Sequence, residues 1–212
     1  KKMLNIKHLN LKVILAFLLL LIPTMLFSEN KGSGEYLEMF KGNPNSDVTI
    51  VEYASFTCPH CATFHHEVIP LLEQEYIVSG KVKFVYREVY FDAPGLWAGL
   101  LARCAGPEKY FGIVDLLYKK QSKWASGNSE KEILRELFLL GRQVGIEKER
   151  LNLCLQDKKK SLTLIDAYLK NSKLDGVTST PSLVVNGKLI KYTNFDNLRT
   201  ILDETIAKLT KE

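Results

Sequence analysis

The sequence predicts an α/β fold: a small sheet whose strands lie near the two ends of the chain, with an all-helical insert between them. Three observations carry this. Runs rich in β-branched residues flank the chain's middle but do not occur in it. From about Gly95 to Lys173 apolar residues recur at helical spacing instead. A Cys-x-x-Cys pair, Cys58 and Cys61, falls where a short strand gives way to a helix.

The elements follow in order. Tyr36 to Phe40 reads as a short edge strand, and Gly42-Asn43-Pro44-Asn45 as a turn. Val48 to Tyr53 (V-T-I-V-E-Y) reads as a buried strand. After the cysteines, Phe64, Val68, Leu71 and Leu72 recur at helical spacing, and Pro70 should kink or split that helix. Gly80 ends the segment, and Lys81 to Val89 reads as a strand. In the middle, Leu96, Leu100 and Leu101 mark one helix, and Phe111, Val114, Leu117 and Tyr118 another. Ser129 with Glu132 forms a capping box that opens a third. Two more helices are expected at about Glu147 to Leu155 and Ser161 to Lys170. Strands return at Ser182 to Val185 and Lys188 to Ile190, around Asn186-Gly187, a hairpin signal. A helix from about Asp196 to Lys208 closes the chain. Trp97, Tyr110, Phe111 and Tyr118 read as core of the helical insert, and Lys158 to Lys160 as a solvated helix start or loop.

Charge is unevenly placed. The formal net charge is +5, from 29 Lys plus Arg against 24 Asp plus Glu in 212 residues. Lys1, Lys2, Lys7 and Lys12 fall in the first 28 residues, which hold no acidic residue. The remaining 25 basic residues nearly balance the 24 acidic ones, so the body of the chain offers no nucleic-acid-binding charge. Residues 1–28 read as a signal peptide or an uncleaved N-terminal anchor, a basic region followed by an apolar run from Val13 to Phe27. Such a leader implies a compartment where disulfides persist.

The cysteine pair suggests redox chemistry. Cys58 at a helix start, with Pro59 in the first turn, receives free backbone N–H groups and the positive end of the helix dipole. That favours the thiolate, the reactive form. Cys-x-x-Cys is also a metal-ligand spacing, and His60, His65 or His66 could join it; His65 and His66 read instead as helix-surface residues. We therefore assign no metal.

Cys58-Pro59-His60-Cys61 after a strand, Thr180-Pro181 before a later one, the order of elements and the run V-E-Y-A-S-F-T-C-P-H-C together resemble the DsbA-like thiol–disulfide oxidoreductases of the thioredoxin superfamily. The resemblance implies a thioredoxin fold in two parts, residues 29–92 and 175–212, around a helical insertion subdomain at 93–174. It implies that Cys58 is the nucleophile, Cys61 its resolving partner, and His60 a donor to the Cys58 thiolate. It implies that Glu52 is a buried acid moving a proton for Cys61. It also implies that Thr180-Pro181 is a cis-proline loop facing the cysteines and pairing with substrate backbone; those two residues alone favour an ordinary trans proline opening an edge strand. Cys104 and Cys154 are similar to an additional disulfide in some alphaproteobacterial DsbA-like proteins, the alternative being two buried free thiols. The implied function is an exported, periplasmic, monomeric oxidase of unfolded cysteine-containing proteins, reoxidised by a DsbB-like membrane quinone reductase and needing no cofactor. A reductase or isomerase of the same fold and a Cys-x-x-Cys metal carrier are the alternatives.

Overall fold

Strand β1 (Met39–Gly42) precedes β2 (Thr49–Ala54), helix α1 (Pro59–Glu67), a short α2 (Ile69–Leu72), a π-helical turn (Glu73–Ile77) and β3 (Lys83–Glu88). Six helices follow: α3 (Ala93–Cys104), α4 (Pro107–Lys119), α5 (Gln121–Trp124), α6 (Glu130–Gln143), α7 (Lys148–Leu155) and α8 (Lys158–Leu174). The hairpin β4 (Ser182–Val185) and β5 (Lys188–Ile190) and helix α9 (Phe195–Leu209) complete the fold. These come from a computed structural model that describes residues 35–209. The leader reading for residues 1–28 lies outside the described residues. Among the described residues, no helix is long and apolar enough to cross a membrane.

The sheet order is β1-β3-β2-β4-β5. β2 and β3 are parallel, and the other pairs are antiparallel. β2 is therefore central, which explains its nearly unbroken apolar run: five of its six residues are buried. Its side chains alternate between faces. Ile50 and Ala54 join the main core, while Val51 and Tyr53 pack on the other face with Val85 and Val184. Glu52 has the parity of Ile50 and Ala54, so it enters the main core. Asn186 (φ 45°) and Gly187 (φ 76°) make the tight hairpin turn that the Asn-Gly pair predicts. The Asn186 side chain accepts from Thr49 N–H at 2.7 Å and donates to the Asp47 carbonyl at 3.0 Å, pinning the hairpin to the entry of β2.

Some expectations need correction. The edge strand is Met39–Gly42, about three residues later than expected, because its pairing with β3 aligns Gly42 with Lys83. α8 starts at Lys158 rather than Ser161, because Asp157 caps it, accepting from Lys160 N–H at 2.8 Å. In the capping box, Ser129 accepts from Glu132 N–H as expected, but the Glu132 carboxylate accepts from Asn128 N–H, one residue upstream of the usual partner. Tyr110 and Tyr118 are buried in the core as expected, and they also join the insert to the sheet. A buried phenol needs a partner, and Tyr110 donates to Glu88 at 2.7 Å, while the hydroxyls of Tyr118 and Tyr86 lie 2.7 Å apart. Arg103 on α3 completes this junction. Its Nε and Nη2 each donate to a Glu88 oxygen at 2.7 Å, and its Nη1 donates to the Leu37 carbonyl at 2.8 Å.

Candidate active site

Cys58 is the N-cap of α1, with Pro59 at the first helical position, where its missing N–H costs nothing. The chain turns sharply here: Cys58 N–H donates to the Ser55 carbonyl at 3.1 Å, and Ala62 N–H to the Cys58 carbonyl at 3.2 Å. Cys58 is half-buried and Cys61, nearly one turn on, is fully buried; both are free thiols. The two environments push the thiols apart. Partial burial pushes the Cys58 thiol up. Hydrogen bonds from the Thr180 side chain, from the Cys61 N–H and thiol and from the His60 N–H outweigh it, and the net shift is below the ordinary thiol range. Burial dominates at Cys61, and its thiol is held well above that range despite hydrogen bonds from the Thr180 side chain and the Ser55 backbone. His60 thus acts on Cys58 through its amide, and its side chain is exposed.

The Thr180–Pro181 bond is cis. It brings the Thr180 carbonyl to 3.6 Å from the Cys58 sulfur, which donates to it. Beside the cysteines a cleft runs between α1 and the segment after β5, lined by His60, Phe64, Val68, Pro181, Tyr192 and Phe195.

Glu52 is fully buried and neither carboxylate oxygen has a hydrogen-bond partner. His65 is a correction: it is buried rather than on the helix surface, with Nε2 3.4 Å from Glu52. It lies four residues after Cys61 and so shares the inward face of α1. His66 is exposed. Among the described residues, no group of three or more His, Cys, Asp and Glu side chains is arranged to hold a metal ion.

Two supporting residues carried no signal in the sequence. Gln121 on α5 donates from Nε2 to the carbonyls of Phe56 (2.8 Å) and Cys58 (3.0 Å), so the insert grips the loop that presents the cysteines. Asp92 caps α3 through Gly95 N–H and accepts from the Thr57 hydroxyl, each at 2.7 Å. Cys104 and Cys154 are joined by a sulfur–sulfur bond of 2.10 Å between the C-terminal ends of α3 and α7.

The chain as a whole has relatives among known proteins. The family model described as Thioredoxin matches residues 36–204. A Rickettsia typhi protein provisionally named a protein-disulfide oxidoreductase is 35% identical over 175 residues, covering 82% of this chain and 64% of its own length. The chain therefore spans less than two thirds of that relative. A Bacillus anthracis protein named probable disulfide bond formation protein D is 30% identical, covering 90% of this chain and 92% of its own. In fold, the chain is similar to the crystal structure of Wolbachia pipientis alpha-DsbA1. The TM-score is 0.74 at 24% identity, over 85% of this chain and 97% of that one.

Proposed function

The chain belongs to the thioredoxin family and is DsbA-like, and from that premise we propose that it is an exported thiol–disulfide oxidoreductase that gives its Cys58–Cys61 disulfide to unfolded proteins. The observation that carries the reading is the asymmetry of the two thiols: Cys58 half-exposed with a lowered value, Cys61 buried with a raised one.

In the oxidised protein a substrate thiolate attacks the Cys58 sulfur. The Cys58–Cys61 bond breaks, a mixed disulfide forms at Cys58, and the electron pair leaves on Cys61, which takes up a proton. A second substrate thiolate then attacks the substrate sulfur of the mixed disulfide and displaces Cys58. The substrate leaves oxidised by two electrons and the protein is left as the dithiol. The lowered Cys58 value makes it a good leaving group and stabilises the reduced protein, and both effects favour donation of the disulfide. Glu52, buried on the strand that ends just before the cysteine loop, is the proton partner we assign to Cys61. Substrate backbone lies along the Thr180–Pro181 loop, with the neighbouring cleft taking a substrate side chain.

The same reading makes the protein a periplasmic monomer, free or held by an uncleaved leader. It is reoxidised by a DsbB-like membrane quinone reductase, uses no cofactor and has no nucleic-acid partner. The lysine-bearing apolar leader supports export. The chain spans only part of its Rickettsia relative, so partners and substrates stay within this proposal.

Oxidative refolding of a reduced, unfolded protein tests it. Cys61→Ser, with Cys58 first activated as a mixed disulfide with a small aromatic thiol, should exchange that thiol for a single-thiol substrate peptide and hold it on Cys58, visible by mass spectrometry, and Cys58→Ser should trap none there and be inactive. Substrate captured through Cys61, or no capture by Cys61→Ser, would contradict the assignment.

A further inference from the structure

Glu52 is a carboxyl sealed in the core, and the side chain nearest to it in charge leads outward. His65 Nε2 lies 3.4 Å from Glu52 Oε2, and like both Glu52 oxygens it has no hydrogen-bond partner. A buried polar group left unpaired is costly, so three such atoms converging on one point call for a reason. The other ring nitrogen, Nδ1, lies 3.9 Å from Oδ1 of Asp115 on α4, whose side chain is 56% exposed. The ring is held between two aromatic neighbours. It stacks on Tyr118 at 4.2 Å and meets Tyr86 edge-on at 5.7 Å. One nitrogen of a fixed imidazole therefore faces a buried carboxyl while the other faces a carboxylate in water.

We infer that His65 is a positioning residue for proton movement, its imidazole joining buried Glu52 to solvent beside Asp115 so that Glu52 is reset after each exchange with Cys61. The inference rests on the reading of Glu52 as the proton partner of Cys61. Glu52 and Cys61 are both fully buried, and His65, four residues after Cys61 on α1, reaches the Glu52 carboxyl.

The step balances without any added reagent. When substrate thiolate attacks Cys58, the electron pair of the broken Cys58–Cys61 bond stays on the Cys61 sulfur. That sulfur takes the proton of the Glu52 carboxyl. The carboxylate takes the proton on His65 Nε2, and Nδ1 takes one from the solvent side. The imidazole ends as its other tautomer, and one proton has entered from water. Oxidation of the dithiol runs the same path in reverse. The titratable groups facing the path are Glu52 on β2, Tyr86 on β3, Asp115 and Tyr118 on α4, Cys61 on α1 and Tyr192 after β5.

The test is the rate at which a dithiol peptide reduces the Cys58–Cys61 disulfide, followed by stopped flow at a series of pH values. Thiolate absorbance reports the Cys58 titration separately. His65→Gln, which keeps a hydrogen-bonding side chain but cannot relay a proton, should slow reduction by about a hundredfold, at the low end of acid–base contributions, and flatten the pH profile. The Cys58 titration should not move. Asp115→Asn should give a smaller loss in the same direction, and since that residue is at the surface it carries the test if His65→Gln does not fold. Adding His65→Gln to Glu52→Gln should cost nothing further. If Glu52→Gln slows the reaction while His65→Gln and Asp115→Asn do not, the inference is overturned and the Glu52 reading stands. If His65→Gln slows it with the pH profile unchanged and the Cys58 titration displaced, His65 is packing only and the inference is again overturned. If Glu52→Gln changes nothing, the reading beneath the inference fails.

Discussion

At the scale of the residue, two thiols one turn apart are pushed in opposite directions, Cys58 down and Cys61 up. A hydrogen bond from the Thr180 side chain is among the contacts that hold the Cys58 thiol below its ordinary range. Thr180→Val removes its hydroxyl at nearly constant volume, so the Cys58 titration, read by thiolate absorbance, should move up towards the ordinary thiol value; an unmoved titration would remove Thr180 from the account. The lowered value also fixes a pH dependence. Reduced, folded Cys58 holds its proton more weakly than the unfolded thiol, whose value is about 8.5. It therefore stabilises the reduced protein fully above that value, and the stabilisation is lost as pH falls through the lowered folded value. Cys61, raised, opposes only above the unfolded value. Urea midpoints of the reduced and oxidised forms should thus favour the reduced form less as the solution is acidified from neutrality. A reduced form that gained on the oxidised one would contradict the sign. The sequence yielded Cys58, Pro59 and Cys61 because their spacing is itself the chemistry. It did not yield buried His65, although the i, i+3, i+4 relation of Cys61, Phe64 and His65 held the signal.

At the scale of the element, the insert is tied to the sheet by polar contacts rather than by apolar packing alone. Glu88 on β3 is 3% exposed and is satisfied by Arg103 and Tyr110. Removing one member of such a pair leaves a buried charge uncompensated, so Arg103→Met should lower unfolding free energy by about 3–5 kcal/mol. A loss below about 1 kcal/mol, the level of an exposed pair, would mean that Glu88 is rehydrated when Arg103 goes. Gln121→Leu leaves the Phe56 and Cys58 carbonyls without their donor, at a cost of about 1–3 kcal/mol. Faster amide exchange should then appear at the cysteine loop; unchanged exchange there would mean that α5 does not hold it. Long helices were legible because they repeat one period, and strands because they are short runs rich in β-branched residues. Arg103–Glu88 and Gln121 were not, because such contacts join segments far apart in the chain and leave no local pattern. Glu52 is intermediate. Its apolar setting on a central strand announced burial, but nothing announced its neighbour.

At the scale of the whole molecule, the order of the strands and the longer helices was readable, because the strand-bearing stretches and the helical insert differ in apolar pattern, while the four-residue α5 and the π-helical turn were too short to show one. The sheet order was not, since it is set by pairing across the insert. Cys104 and Cys154, 50 residues apart, bind the insert to itself. Closing such a loop stabilises by about 4 kcal/mol in the chain-entropy model. Cys104→Ala with Cys154→Ala should lower the unfolding midpoint while leaving disulfide transfer through Cys58 intact. Loss of transfer in a folded double variant would mean that this bond reaches the active site.

The measurement that bears most directly on the central claim is the reduction potential of the Cys58–Cys61 pair, from its equilibrium with glutathione buffers. If a stabilised Cys58 thiolate makes this protein a donor of disulfides, the potential lies well above thioredoxin's value of about −270 mV, each 30 mV being about 1.4 kcal/mol in favour of the dithiol. A value near or below thioredoxin's would contradict the account and make the same site a reductase.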